Sequence, residues 1–233
     1  MTEALTAVRT RVDDAARAAG RDPADVALLA VSKTWPAADV AALAALGQRD
    51  FAENKVQELT GKAAELADLD LRWHLVGQLQ RNKATAVVGL GAVVQSVDRA
   101  SLVERLAGVS ERAEVVTDVF VQVDLGGPEG RTAARGGADP GDVPGLADLV
   151  AGSASLRLRG LMAVAPREAP PGPAFAQLGV LWERVRGDHP EAAELSAGMS
   201  ADLEEAVAVG ATLVRVGTAL FGRRPLASGA GPA

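Results

Sequence analysis

Val26-Ala27-Leu28-Leu29-Ala30-Val31-Ser32-Lys33 decides the fold. The apolar run Val26 to Val31 stands between Pro23 and Pro36. Such a run reads as a strand buried on both faces, as in a parallel sheet covered by helices. It ends in a lysine. An ammonium group at the end of a buried strand costs free energy unless it is solvated, paired or chemically used. Two readings of Lys33 stand open. It curls out to water or meets a carboxylate, or it handles a ligand, because ligands of barrels and open α/β sheets sit at the carboxyl ends of the strands.

Working outward, the two structural periods alternate. Residues 2–19 read as a helix with Leu5, Val8 and Val12 inward and Gly20 as its stop. Pro36 opens a second helix that Gly47 closes. Further strands are expected at 50–54, 71–77, 92–97, 118–124, 158–164, 194–196 and 212–216. Helices are expected at 54–68, 82–88, 99–112 and 142–151, and from Phe175 through Val185. Another begins at Ser200 as N-cap, and a short one lies near 217–221. Loops are expected at 126–141, rich in Gly, Pro and Arg, and at 166–173. Eight strands alternating with helices predict a single-domain α/β fold, a (β/α)8 TIM barrel over 1–225 with an extra N-terminal helix, and a disordered tail at 226–233. The rival is a doubly wound sheet. It would announce itself with a glycine fingerprint after the first strand, and here Ser32-Lys33-Thr34-Trp35-Pro36 follows instead.

Composition narrows the chemistry. With 3% aromatic residues, the core of this 233-residue chain is aliphatic. The net charge of -6 argues against nucleic-acid or anionic-membrane binding. No apolar run reaches the length of a membrane span, and the N-terminus lacks the core of a signal peptide, so a cytoplasmic protein is expected. There is no cysteine and no tyrosine, and His74 and His189 are the only histidines. Thiolate chemistry and a histidine-rich metal site are therefore excluded. His189, between Asp188 and Pro190, reads as a surface residue.

On a barrel, Lys33, Asn54, His74 and Arg215 are expected at or near one carboxyl rim. Phosphate sites in barrels often use the loops after the seventh and eighth strands. Here those loops are Ser196-Ala197-Gly198-Met199-Ser200 and Gly217-Thr218-Ala219, which offer backbone N–H groups and hydroxyls at helix N-termini. Opposite a strand-end lysine, this suits a phosphorylated carbonyl compound held as a Schiff base, with Arg215 a candidate cation for lowering the lysine pKa. Blander readings stay open. His74 is then a satisfied interior histidine, Asn54 a helix cap, and Arg215 an ion-pair partner.

Several stretches resemble the pyridoxal 5′-phosphate (PLP) homeostasis proteins (the YggS family), whose barrel is similar to the N-terminal domain of alanine racemase. They are Leu29-Ala30-Val31-Ser32-Lys33-Thr34, Phe51-Ala52-Glu53-Asn54, Trp73-His74-Leu75-Val76-Gly77, Leu158-Arg159-Gly160-Leu161-Met162, Leu195-Ser196 with Gly198-Met199-Ser200, and Val214-Arg215-Val216-Gly217-Thr218-Ala219. The resemblance implies that Lys33 carries PLP as a covalent internal aldimine. It implies that Ser196, Gly217 and Thr218 hold the phosphate, with Met199 and Ser200 shaping the same wall. Arg215 would face the pyridine nitrogen, and Asn54 and His74 would line the ring and its O3′ side. Ala52 stands where the family commonly has Gly, and Lys55 where it often has Tyr or Arg.

Racemisation on PLP needs bases on both faces of the substrate carbon, one of them a tyrosine in alanine racemase, and this chain has none. The expectation is a non-catalytic PLP carrier, a monomer, that serves PLP homeostasis and has PLP-dependent apo-enzymes as recipients. No residue is assigned a catalytic role. The alternatives are a PLP-dependent enzyme acting on an amino acid, or a Schiff-base aldolase on a phosphorylated aldehyde.

Overall fold

A computed structural model describes residues 1–126, 136–166 and 168–222. Eight parallel strands close into a barrel in chain order: β1 (Ala27–Val31), β2 (Asp50–Glu53), β3 (Arg72–Leu75), β4 (Val93–Val97), β5 (Thr117–Val123), β6 (Leu156–Ala163), β7 (Glu194–Ser196) and β8 (Leu213–Val216). The ring is sealed where β8 pairs with β1, with Ala30 beside Val216. Around it lie α1 (Thr2–Ala18), α2 (Ala37–Ala45), α3 (Val56–Glu65), α4 (Ala84–Gly89), α5 (Ala100–Arg112), α6 (Val143–Ala151), α7 (Pro171–Asp188), α8 (Leu203–Ala208) and α9 (Thr218–Phe221). The expected α/β barrel with its extra N-terminal helix is the observed fold.

The strand pleat sorts side chains into two cores. Outward residues such as Phe51, Leu75, Val94, Val121, Leu161 and Leu195 meet the helices. Inward residues Leu29, Ala52, Val93, Phe120, Met162 and Leu213 fill the barrel. Each fully buried Leu, Phe or Met contributes about 1.5–3 kcal/mol. Ala52, the departure from the family's usual glycine, is fully buried in this inner cluster, so its methyl group fills space there.

Helix α1 packs against α8 and the loop that precedes it. Its Arg11 makes a two-pronged contact with Glu204, Nε to Oε1 at 2.5 Å and Nη2 to Oε2 at 2.6 Å, and donates to Ser200 O at 2.7 Å. Two helix starts differ from expectation. α7 begins at Pro171, inside the segment expected to be loop, because prolines in a first helical turn lose no hydrogen bond. α8 begins at Leu203 rather than at Ser200, because the Asp202 carboxylate turns back and accepts the Met199 N–H at 2.6 Å. Residues 127–135 of the expected loop and the expected tail at 226–233 lie outside the described residues.

At the N-terminal mouth, Arg72 pairs with Asp50, Arg157 and Arg159 with Asp118, and Arg159 with Glu194. The carboxyl mouth carries the candidate site.

Candidate functional site

Lys33 follows β1 and is half-buried. The backbone on either side of it is fixed from several directions. The Ser32 N–H donates to Ala52 O at 3.0 Å, and the Trp35 N–H donates to Ser32 O at 3.0 Å. Lys62, reaching in from α3, donates to that same carbonyl at 2.7 Å. The Ser32 hydroxyl donates to Glu53 Oε1 at 2.7 Å, and the Thr34 N–H donates to Glu58 Oε2 at 2.7 Å. Thr34 sits at φ +70°, in the left-handed region that a β-branched residue avoids. Holding it there costs about 1–3 kcal/mol, which the Glu58 contact and the turn offset.

Behind this turn lies a buried ion pair. Glu53 is fully buried and Lys62 nearly so, and Lys62 Nζ contacts Glu53 Oε1. Among the described residues, Glu53 Oε2 has no hydrogen-bond partner. Burial pushes the Glu53 carboxyl above its ordinary range, against the downward pull of Lys62 and Ser32.

The β8 end closes on the same spot. A Cβ at Gly217 would lie 3.0 Å from Val31 O, so glycine lets the turn before α9 approach the strand that carries Lys33. Trp35 stacks on Phe221 with ring centroids 5.8 Å apart, tying the two loops together. Thr218 is exposed at the start of α9. On the other flank, Asn54 is exposed just past β2. No side chain caps α3, so Asn54 does not serve as its cap. Gly77 packs on the Asn54 backbone, where a Cβ would fall 2.0 Å from Asn54 O. Val31, Val76 and Val164, half-buried above the inner core, give the rim an apolar floor.

Arg215 lies beneath this rim and is buried. Its Nη1 donates to the Ser196 hydroxyl at 2.7 Å and its Nη2 to Ala163 O at 2.6 Å. Both partners are neutral, so the ion-pair reading of Arg215 does not hold. Burial lowers its pKa to about 10, which leaves it cationic at neutral pH. A guanidinium has five N–H donors, and these contacts use two of them.

Two more expected site residues sit lower than the rim. The Ser196 hydroxyl is fully buried and donates to Gln95 Oε1 at 2.7 Å. His74 faces the barrel interior from the middle of β3, where Gln95 Nε2 meets its Nδ1 at 2.9 Å and Asp50 Oδ1 lies 3.4 Å from its Nε2. The placement of His74 at the rim is therefore corrected. The pleat carries Val76, two residues on, to the rim instead. Burial alone would raise Asp50, but hydrogen bonds from His74 and Arg72 outweigh it and hold the carboxyl below its usual range. Met199 is exposed and Ser200 half-buried on the loop after β7. His189 pairs with Asp148 at 2.8 Å, away from the site.

The structure thus brings Lys33, Gly217 and Thr218 together, sets Arg215 and Ser196 below them, and leaves His74 deeper. Sequence reasoning missed Gln95, Glu53, Glu58 and Lys62. Gln95 is a polar residue at an inward position of an apolar strand. Lys62 continues the apolar spacing of Val56 and Leu59 along α3, so a lysine at a core position was the available signal.

The family model for the alanine racemase N-terminal domain matches residues 4–225. Among curated relatives, the pyridoxal phosphate homeostasis protein of Pseudomonas aeruginosa is 45% identical over 224 residues, covering 96% of each chain. That of Mycobacterium leprae is 41% identical, covering 98% of this chain and 94% of its own. The structure of PipY from Synechococcus elongatus with PLP bound superposes with a TM-score of 0.82 at 37% identity, over 95% of this chain and 99% of PipY. Alanine racemase from Corynebacterium glutamicum, at 17% identity and a TM-score of 0.70, shares the fold over 97% of this chain and 62% of its own. The chain belongs to the pyridoxal phosphate homeostasis proteins, within the alanine racemase N-terminal domain family.

Proposed function

We propose that this protein binds PLP as a Schiff base on Lys33 and serves PLP homeostasis by holding and delivering it, with little or no catalysis. The observation that carries the reading is the convergence at one rim of a strand-end lysine on a clamped turn and the Gly217–Thr218 turn, with a buried arginine beneath them. The residues fit the group. Gly217 and Thr218 offer N–H and hydroxyl donors to a phosphate, with Met199 and Ser200 forming the adjacent wall. Val31, Val76 and Val164 suit a planar ring, and Asn54 would line its edge. Arg215 retains donors for the ring nitrogen.

The chemistry of Arg215 also supports a carrier over a catalyst. When bound, PLP supplies an electron sink whose strength depends on a protonated ring nitrogen. A guanidinium only donates, so it favours the unprotonated nitrogen and a weak sink. The chain also has no tyrosine to act as a racemase base. The expected recipients are PLP-dependent apo-enzymes, reached by a cytoplasmic monomer.

Loading the purified protein with PLP and screening amino acids for turnover tests this. The expected result is one PLP per chain and no amino acid consumed at ordinary enzyme rates. Racemisation or decarboxylation at such rates would make it a PLP-dependent enzyme. Retro-aldol cleavage of a phosphorylated sugar by a protein that takes up no PLP would make it a Schiff-base aldolase.

A further inference from the structure

Arg215 is the top of a chain of buried polar side chains that crosses the barrel interior. Arginine only donates, so Ser196 Oγ accepts from Arg215 Nη1 and must send its own proton elsewhere. It sends it to Gln95 Oε1 at 2.7 Å. The Gln95 amide nitrogen then faces His74 Nδ1 at 2.9 Å, so Nδ1 accepts and the ring proton sits on Nε2. That proton points at the Asp50 carboxylate at 3.4 Å, the longest link. Flipping the Gln95 amide would put the amide nitrogen against Ser196 and strand the hydroxyl proton. It would also turn a bare Nε2 toward a carboxylate. Only the first sense gives the Ser196 hydroxyl proton an acceptor and also turns a ring N–H, not a bare nitrogen, toward Asp50. Ser196 and Gln95 are fully buried and His74 nearly so, and in such surroundings an unmade hydrogen bond has no water to replace it.

We propose that Gln95 and His74 are positioning residues for Arg215: the one-way chain Arg215, Ser196, Gln95, His74, Asp50 fixes the guanidinium before the cofactor arrives. Ser196 offers its lone pair to Arg215 because Gln95 takes its proton, and Gln95 keeps that orientation because His74 and Asp50 hold the other end. The lower end opens on the N-terminal mouth, where a cavity of about 240 Å³ is lined by His74 together with the charged groups Asp25, Asp50, Arg72, Asp118, Arg159 and Glu194. The role assigned to Arg215 rests on the PLP reading above, whereas the chain itself does not need PLP to be tested.

The test has two arms. In the protein without PLP, 15N NMR of the two histidine rings, assigned with His189→Gln, reads the tautomer of His74. The expected result is a proton on Nε2 in the wild type. In Gln95→Glu, whose carboxylate accepts from both neighbours, protons are expected on both ring nitrogens. A wild-type ring protonated on Nδ1, or an unchanged ring in Gln95→Glu, overturns the proposal. In the second arm PLP affinity is measured by titration of the visible band. Gln95→Leu is expected to weaken it about fivefold to tenfold, and Gln95→Glu, which still accepts from Ser196, to restore it to within about twofold. If the wild type binds PLP and Gln95→Leu binds it equally well, the positioning role falls alone. If the wild type takes up no PLP, the PLP reading falls and the positioning role with it, while the NMR arm still decides the direction of the chain.

Discussion

Replacing Lys62 with methionine separates the turn that carries Lys33 from the ion pair behind it. The side chain keeps an unbranched apolar stem out to Cε and loses the charged ammonium tip. Two contacts go with it, the ion pair with Glu53 and the 2.7 Å hydrogen bond to Ser32 O. Among the described residues, Glu53 is then a fully buried carboxylate supported only by the Ser32 hydroxyl, with one oxygen already unpartnered. Removing one member of a buried pair costs about 3–5 kcal/mol. At roughly 2–4 °C per kcal/mol for a chain of this size, the midpoint of thermal unfolding falls by about 6–20 °C at pH 8. The pH dependence carries a definite sign. A carboxyl whose folded pKa is raised is favourable to stability below its unfolded pKa, and that contribution is lost as pH rises through the folded value. The deficit of Lys62→Met must therefore shrink between pH 8 and pH 5, as the uncompensated carboxyl takes up a proton. Adding Glu53→Gln removes the stranded charge and recovers most of the loss at pH 8. Thermal melts of the three proteins at both pH values suffice. A Lys62→Met protein that melts within about 2 °C of wild type at pH 8, or keeps the same deficit at pH 5, refutes the reasoning.

Gly77→Ala places a methyl group 2.0 Å from Asn54 O, so the β2 end must move. PLP affinity is expected to fall about tenfold, with a stability loss of about 1–3 kcal/mol, both measurable by titration and melting. Glu204→Gln dissolves the two-pronged contact with Arg11, but both side chains are substantially exposed, so less than about 1 kcal/mol is lost at pH 7. Arg11 holds the Glu204 carboxyl below its usual range, so the contribution is present above the unfolded pKa and disappears as pH falls through the folded one. Melting curves of variant and wild type should then converge in acid.

The barrel was legible because its strands are apolar runs punctuated by Gly and Pro, and every expected strand has a counterpart in the structure. Helix starts were less legible, since they turn on a single contact. Asp202 bonding back to Met199 moves the start of α8 past Ser200. Within the site, Lys33, Gly217 and Thr218 could be placed from their positions at strand ends. His74 was set too high because the strand end was read without following the pleat: Arg72, His74 and Val76 share the inward face, and only the last reaches the rim. The clamp on Lys33 was illegible for another reason. It joins Glu53, Glu58 and Lys62, whose meeting with the β1 turn depends on how α3 lies against the sheet. Gln95 and Ser196 are 101 residues apart, and only barrel closure reveals that they touch.

The central claim is that Lys33 holds the cofactor, and borohydride reduction of the PLP-loaded protein followed by peptide mass mapping tests it most directly. A reduced pyridoxyl group on Lys33, with the visible band absent from Lys33→Ala, is the result this account predicts. A reduced adduct on another lysine, or a Lys33→Ala protein that keeps the band, would contradict it.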